Sequence, residues 1–428
     1  MKHKQTHTGW TRRRGALRGA LGLAAALALA ACNSLLDVEA PSRIPAEGLD
    51  DPLTAPLLLN GAIGDFECAF QSYVVMGGIV GEELVDATQT ADRWPYDRRS
   101  VDPSDRRYGE FGCTALGVYT PLSTARWAAE NTLAKLQGWT DEQVPNRGVM
   151  IATAAAYSGY SHLLLGEGFC SGVLLDQTLT AGGEVPRADV LRRAIARFDQ
   201  AVEGARAAGN ADILNMALVG RARAKLDVGD RAGAAADARQ VAANYAKSVT
   251  ASTIASRREN RVVEQNNNAQ SVTVGPAYRN LTFGGVADPR VRVTDTGRNA
   301  TDGNRIWVQN KYPTLATGIP LATWDEAQLI IAEVEGGQSA VNIINMFHTR
   351  AGLPAFASTD PAAIQRQVIE ERRRELFLES QHLGDVIRYN LALTPATGTS
   401  FPKGGTYGST TCLPLPNIEK LNNRNISG

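Results

Sequence analysis

Residues Asp360–Asn390 read DPAAIQRQVIEERRRELFLESQHLGDVIRYN, and this stretch decides the fold. Asp360 is a favourable helix cap, and Pro361 suits the first helical turn. Apolar side chains then recur at helical spacing and define one buried face, formed by Ile364, Val368, Ile369, Leu376 and Phe377. Gly384 predicts a break between this helix and a short second one.

Charged side chains fill the middle of the same helix, from Glu370 to Glu375. Glu370 and Arg374 stand four residues apart with the glutamate first, which is the order that stabilises a helix. Two interpretations are open: a pair of catalytic carboxylates, or a lattice of ion pairs that fixes the helix to its neighbours. We favour the lattice because no nucleophile, base or metal-ligand set accompanies the charges.

Four segments of the C-terminal part follow one another in a recognisable order: Thr323–Glu335 (TWDEAQLIIAEVE), Asn345–Pro354 (NMFHTRAGLP), Glu371–Arg388 (ERRRELFLESQHLGDVIR) and Leu413–Asn417 (LPLPN). Together they resemble the sequence signature of the SusD/RagB-like outer-membrane lipoproteins. Leu57–Phe66 (LLLNGAIGDF) resembles the first helix of that family. The resemblance covers most of the chain, loosely in its N-terminal half and well from Thr323 onward.

The resemblance implies a mostly α-helical, SusD-like fold with tetratricopeptide-type helix pairs, irregular loops and a few short hairpin strands. It implies a surface lipoprotein that captures a nutrient oligomer, often a glycan, as the lid of a SusC-like TonB-dependent transporter. Such a protein binds without breaking bonds, so we expect no enzyme activity and no cofactor. The helical pattern that starts at Ala188 has small residues where helices must approach closely, in agreement with helix pairs.

The N-terminus has the layout of a secretory signal, with a basic region up to Gly19 and a short apolar run after it. The run ends in the sequence LAAC at Cys32, which resembles a bacterial lipobox. We therefore expect Cys32 to become the lipidated first residue of the mature chain, whose only membrane contact is the lipid.

These features predict the organisation of the whole chain. The expected parts are a lipoprotein signal peptide over residues 1–31, a lipid-anchored tether over 32–52 and a single SusD-like domain over 53–428. Within that domain we expect a helical part over about 53–250, loops and hairpins over about 250–320, and a helical part with a wrapping tail over about 321–428. The expected location is the outer membrane, facing the cell surface.

Net charge argues against nucleic acid as a partner. The sequence carries 44 basic and 44 acidic residues, but the first 31 residues hold six of the basic ones and no acid. Removing them leaves 38 basic against 44 acidic residues, a net charge of −6. Phosphate backbones are bound by basic surfaces, which this composition does not predict.

Four cysteines remain besides Cys32, an even number in a chain whose export permits disulfides. They are Cys68, Cys113, Cys170 and Cys412, with successive separations of 45, 57 and 242 residues that do not match a zinc site. Of the three possible pairings we favour Cys68 with Cys113 and Cys170 with Cys412. Free buried thiols are the alternative.

An irregular segment from Gly81 to Gly109 mixes Asp, Arg, Pro and aromatic residues, as functional loops do. Flat aromatic faces with Asp, Asn and Arg donors and acceptors are suited to sugars, so we predict a ligand site here. The candidate ligand residues are Asp92, Arg93, Trp94, Tyr96 and Asp97, with Trp307 as a second wall. In the alternative interpretation, Trp94 only closes the loop onto the body. Trp127, Trp139 and Trp324 lie in helical patterns and are expected in the core.

The sequence lacks a GxSxG nucleophile elbow, a phosphate loop and an HExxH zinc motif. His162, His348 and His382 are isolated, so no metal site is expected. Two alternatives to the nutrient-binding lipoprotein stay open. One is a lipid-anchored, tetratricopeptide-like scaffold for a protein or peptide partner, and the other is an anchored glycan hydrolase.

Overall fold

The structure, a computed structural model, describes residues 49–113 and 116–426. The signal peptide, Cys32 and most of the tether lie outside the described residues. From Pro52 onward the chain forms one compact unit. None of the helices in the described ranges combines the length and the apolar composition that a bilayer crossing requires.

The predicted mostly α-helical class is confirmed. In chain order the α-helices are α1 (Ala55–Val80), α2 (Trp94–Asp97), α3 (Arg106–Glu110), α4 (Tyr119–Gly138), α5 (Arg147–Gly168), α6 (Arg187–Ala207), α7 (Ala211–Asp227), α8 (Arg231–Ala238), α9 (Trp324–Glu335), α10 (Gly337–Ala351), α11 (Pro361–Glu375), α12 (Gln381–Tyr389) and α13 (Asn417–Asn422).

The strands are short, and in the described ranges they form two-stranded antiparallel sheets. They are β1 (Leu84–Asp86), β2 (Ser171–Leu175), β3 (Ala181–Pro186), β4 (Ala246–Val249), β5 (Val272–Val274), β6 (Thr282–Phe283), β7 (Val286–Ala287), β8 (Val293–Asn299), β9 (Arg305–Gln309) and β10 (Ile319–Thr323). The pairs are β1 with β5, β4 with β10, β2 with β3, β6 with β7, and β8 with β9. The β2–β3 hairpin lies in the part of the chain that the sequence predicted to be helical.

Helices that follow one another along the chain pack side by side: α4 with α5, α5 with α6, α6 with α7, and α7 with α8. These are the predicted helix pairs. Phe198 of α6 shows why small residues recur in them. A Cβ on Gly159 of α5 would lie 2.7 Å from the Phe198 ring, and one on Gly220 of α7 would lie 2.4 Å from it. The three helices approach this closely because those two positions have no side chain.

The charged middle of α11 forms ion pairs with its neighbours. Arg372 makes two contacts with Asp385 of α12, at 2.8 and 2.9 Å, and Glu371 lies 3.0 Å from His348 Nε2 of α10. Asp360 caps the helix by accepting hydrogen bonds from the second and third residues that follow it. The arrangement matches the structural lattice that we favoured over a catalytic pair.

The prediction of a break at Gly384 was wrong. Gly384 lies inside α12, and the chain turns earlier, where Leu378 and Ser380 have positive φ angles of 56° and 91°. The glycine is used for packing instead, because a Cβ there would lie 3.4 Å from the Glu167 carboxyl group of α5.

Two disulfides join the pairs that we favoured, Cys68 with Cys113 and Cys170 with Cys412. Beside the second one, Leu413 donates from its backbone N to Gly168 O at 2.8 Å. Its own carbonyl accepts from Cys170 N at 2.9 Å. The tail segment at Leu413 therefore lies against the end of α5.

Trp127 was expected in the core, and this prediction was wrong. Its side chain is 47% exposed on α4, because the buried face of that helix is occupied by smaller residues such as Leu122, Ala129 and Leu133. Trp139 and Trp324 are partly buried and pack against the core.

Candidate functional site

The aromatic residues of the predicted site are engaged within the fold. Tyr96 is 3% exposed, and its hydroxyl group donates to Leu116 O at 2.7 Å. Trp94 is half-buried and packs edge-on against Phe401 of the tail, with ring centroids 6.4 Å apart. These contacts agree with the interpretation in which Trp94 closes the loop onto the body.

Trp307, the expected second wall, lies on β9 and is half-buried. The Arg279 guanidinium group stands over its ring, 5.4 Å from the centroid. One face of the indole is therefore covered by a neighbouring side chain.

The two charged residues at the start of the loop are held by partners of their own. Arg93 Nε lies 2.9 Å from Asp86 Oδ2, and its Nη2 donates to Gln265 Oε1 at 2.6 Å. Asp92 pairs with Arg107. The contact with Gln265 fixes the loop to the body, whereas the pairs with Asp86 and Arg107 lie within the irregular segment.

Asp97, the sixth candidate, lines a cavity of about 230 Å³, which we call the Asp97 cavity. Its lining residues are Ile79, Glu82, Leu84, Val85, Asp97, Arg99, Pro276, Ala277, Asn304, Thr394, Pro395 and Tyr407. Leu84, Asp97 and Tyr407 are buried, whereas Pro276 and Pro395 are exposed. The cavity thus has a buried floor and a rim in contact with solvent. It is smaller than the roughly 300–1,000 Å³ of sites for drug-sized ligands, so it suits one small unit.

Glu82 and Arg99 face each other in this cavity, with Arg99 Nη1 2.9 Å from Glu82 Oε1. Both residues have positive φ angles, 70° for Glu82 and 52° for Arg99. Such strained backbone persists where the surrounding structure enforces it, and it concentrates at functional sites. Glycines allow the enforcing contacts: a Cβ on Gly275 would lie 1.9 Å from Glu82 O, and one on Gly408 would lie 2.2 Å from Arg99 O.

A second group of charges lies near Asp97 and acts on it electrostatically. Lys403 Nζ contacts Asp86 Oδ1 and Asp302 Oδ2, each at 2.8 Å. Asp97 itself is 7% exposed and, within the described residues, has no hydrogen bond or salt bridge from its carboxylate. It is therefore a largely buried acidic group that lines the cavity, and no protein group in the described ranges pairs with its carboxylate.

Burial shifts both acids of the cavity in the same direction. Desolvation raises the pKa of Asp97 to about 7, against a smaller opposing effect of Lys403. Desolvation likewise raises the pKa of Glu82 to about 7, although the Arg99 guanidinium lowers it in part. Two carboxyl groups that titrate near neutrality in one cavity are typical of functional sites.

The sequence indicated part of this site. Glu82, Asp97 and Arg99 all fall in the irregular segment that we identified from its composition. Asn304 and Tyr407 come from distant parts of the chain, and a single sequence contains no signal that brings them to the loop. Within the described ranges, no group of three or more His, Cys, Asp or Glu residues is placed to hold a metal ion.

We expect Asp97→Asn to stabilise the protein at alkaline pH. Because the folded-state pKa is raised, the folded protein binds more protons than the unfolded chain between about pH 4 and pH 7. The free energy of unfolding therefore falls as the pH rises through that range, because the buried Asp97 carboxyl group must lose its proton. Asparagine does not titrate, so the variant lacks this loss of stability. The measurement is urea unfolding at pH 5 and at pH 8. Between these pH values, the free energy of unfolding should fall by about 2 kcal/mol less in the variant than in wild type.

Asp141→Asn is the matched control, because the Asp141 side chain is 77% exposed and pairs with Arg147 on the surface. It should leave the pH dependence of wild type unchanged. If the free energy of unfolding changed with pH in the same way in wild type and in Asp97→Asn, burial would not be raising the pKa of the Asp97 carboxyl group.

Residues 326–413 match the model of the SusD family. A SusD superfamily protein from Bacteroides vulgatus has the same fold, with a TM-score of 0.67, 13% identity, and coverage of 88% of this chain and 98% of that chain. No curated protein sequence matches.

Two further structures share the fold. One is a laminarin-binding SusD-like protein, with a TM-score of 0.63, 16% identity, and coverage of 88% of this chain and 98% of that one. The other is surface glycan-binding protein A from Bacteroides thetaiotaomicron in complex with laminarihexaose, with a TM-score of 0.66, 11% identity, and coverage of 87% and 98%. The resemblance to the SusD/RagB-like family is thereby confirmed.

Proposed function

Because the chain has the SusD-like fold, we propose that it is an outer-membrane surface lipoprotein that captures a glycan and delivers it to a SusC-like TonB-dependent transporter as its lid. The observation that carries this proposal is the fold, shared over nearly the full length of two proteins named for laminarin or glycan binding. Binding and release are the whole mechanism, and no bond of the ligand is broken.

The Asp97 cavity supplies chemistry that suits one sugar unit. Ile79, Leu84 and Pro276 offer apolar walls for the C–H faces of a sugar ring. Asn304 and Tyr407 offer an amide and a hydroxyl group for the sugar hydroxyls. We propose that Asp97 contacts the ligand directly, while Asp92, Arg93, Trp94, Tyr96 and Trp307 hold the surrounding loops in place. The remainder of an oligomer would extend past the rim at Pro276 and Pro395.

We further propose that lipid on Cys32 holds the protein at the membrane, and we expect Cys32→Ser to abolish that attachment. Cys32 is the residue that the lipobox resemblance assigns to acylation. The measurement is cell fractionation after labelling with a fatty-acid analogue. The variant should lose the label and leave the membrane fraction. Ser34→Ala, two residues further on, is the control and should behave as wild type. Labelling that persists in Cys32→Ser would contradict the anchor.

The transporter partnership is tested in the native membrane. The full-length chain, tagged at its C-terminus, is purified in mild detergent from cells that also express a SusC-like transporter from a neighbouring gene. We expect the transporter to copurify in a fixed ratio. Purification without the transporter, together with binding of a defined peptide, would support the lipid-anchored scaffold instead.

A further inference from the structure

The charges around the Asp97 cavity do not balance. Two carboxylates line it, Glu82 and Asp97, and two more, Asp86 and Asp302, act on Asp97 from nearby. Three of the four have salt-bridge partners: Glu82 with Arg99, Asp86 with Arg93 and Lys403, and Asp302 with Lys403. Asp97 is the fourth and has no such partner in the part of the chain that the structure describes.

Arg98, the next residue in the chain, does not fill this role. Its Nη1 lies beside Gly405 in the tail, 3.5 Å from the position that a Cβ would take there. The charged groups that act on Asp97 are Lys403, Asp86, Arg99 and Asp302. Both cations among them already contact other carboxylates, at 2.8–2.9 Å. One acidic group of the cavity, Asp97, is therefore left without a cationic partner from the described part of the protein.

We propose that the Asp97 cavity selects a sugar unit that carries a primary ammonium group, which pairs with the Asp97 carboxylate. The inference rests on the proposed function, because it specifies which glycan the cavity takes. An amino sugar has C–H faces that can pack against the apolar walls. It also carries the cation that Asp97 lacks.

The energetics favour this ligand over a neutral or an acidic sugar. A buried carboxylate without a partner is costly, and an opposite charge at hydrogen-bond distance removes much of that cost. A neutral hydroxyl group would supply a hydrogen bond but no charge. An acidic sugar would add a further negative charge where Arg99 and Lys403 are already engaged. Burial raises the pKa of the Asp97 carboxyl group to about 7 against a smaller opposing effect of Lys403, so the protein's own cations do not offset the cost of burying this charge.

A metal ion is a poorer occupant than an ammonium group. Divalent cations are bound by several oxygen ligands, and the described residues contain no cluster of three or more acidic, His or Cys groups suited to that task. An ammonium group needs one carboxylate and a few neutral acceptors, which Asp97, Asn304 and Tyr407 supply.

The test compares glucosamine, glucose and N-acetylglucosamine, which differ only at one ring position, on the purified full-length protein at pH 7. Ligand-observed NMR titrations give the three dissociation constants. We expect glucosamine to bind at least about tenfold more tightly than the two neutral sugars, the effect of one charge-assisted hydrogen bond. Asp97→Asn should bring the three sugars to within about twofold of one another, and Asp97→Glu should retain part of the preference.

The outcomes separate this inference from the proposed function. Equal binding of the three sugars to wild type would overturn the ammonium inference and leave glycan capture standing. A preference for glucosamine that survives Asp97→Asn would also overturn it. If free lysine bound as tightly as glucosamine and with the same dependence on Asp97, the sugar part of the inference would be wrong. Failure to bind these sugars or any longer glycan would contradict the proposed function itself.

Discussion

Arg223→Met is expected to lower the free energy of unfolding by about 3–5 kcal/mol. Arg223, on α7, contacts both oxygens of Glu167 on α5, at 2.6 and 2.5 Å, and lies 3.8 Å from Glu326 on α9. It also donates to Ser380 Oγ in the turn before α12, at 3.2 Å. The side chains of Arg223, Glu167 and Glu326 are at most 4% exposed. One guanidinium group therefore joins four parts of the helical body.

The loss of stability is expected to be large because the Glu167 carboxylate remains buried without its partner. Without Arg223, Glu167 keeps no salt bridge in the described structure, and it lies near Asp227, whose pKa is already raised by burial and by Glu167. Removing one partner of a buried pair leaves an uncompensated charge, which costs more than the pair itself contributes. Chemical denaturation followed by circular dichroism measures the effect.

Arg192→Met provides the matched control. Arg192 also pairs with a carboxylate, Asp189, but its side chain is 65% exposed on α6. Exposed pairs of this kind contribute about 0–1 kcal/mol, so the control should remain close to wild type. Equal losses in the two variants would show that burial of the Arg223 cluster is not what stabilises the body.

Replacing both Cys170 and Cys412 with serine is expected to cost about 5 kcal/mol. The disulfide closes a loop with a sequence separation of 242 residues, and the stabilisation by a cross-link grows with the length of the loop that it closes. Removing the pair Cys68–Cys113, with a separation of 45, should cost about 4 kcal/mol by the same relation. Thermal unfolding of the two double variants tests this order, and the opposite order would contradict it.

The tail disulfide should also affect the ligand site. Lys403, Tyr407 and the rim residue Pro395 all lie in the segment between α12 and Cys412. Releasing the end of that segment loosens the groups that hold Asp86 and Arg99 in position. We therefore expect the Cys170→Ser/Cys412→Ser variant to bind sugar more weakly than the Cys68→Ser/Cys113→Ser variant, when both are compared well below their unfolding temperatures.

The sequence signature could be recognised because it encodes local structure. In the RAGLP segment, Gly352 ends α10 with a φ of 67°, and Leu353 N donates to His348 O at 2.8 Å. His348 Nδ1 lies 2.7 Å from Pro354 O, and its other ring nitrogen contacts Glu371 of the ERRRE segment. The RAGLP and ERRRE segments therefore contact each other in the folded chain. Neither segment lines the Asp97 cavity.

The parts that sequence alone did not predict depend on contacts between distant residues. The site of the turn before α12 is set by Leu378 and Ser380, whose positive φ angles no local propensity favours. The exposure of Trp127 depends on which face of α4 meets α1 and α5. The pairing of Asp86 with Lys403 joins positions 317 residues apart. Composition indicated the irregular segment from Gly81 to Gly109, but the partners of that segment become visible only in the folded chain.

We propose that this protein holds a glycan without cleaving it. The direct test is isothermal titration of the purified full-length protein with a panel of oligosaccharides that includes laminarihexaose and glucosamine oligomers. The length of the recovered sugar chains is then determined by mass spectrometry. We predict saturable binding of at least one glycan and complete recovery of intact chains. Shortened chains would identify an anchored hydrolase, and absence of binding across the panel would contradict the claim.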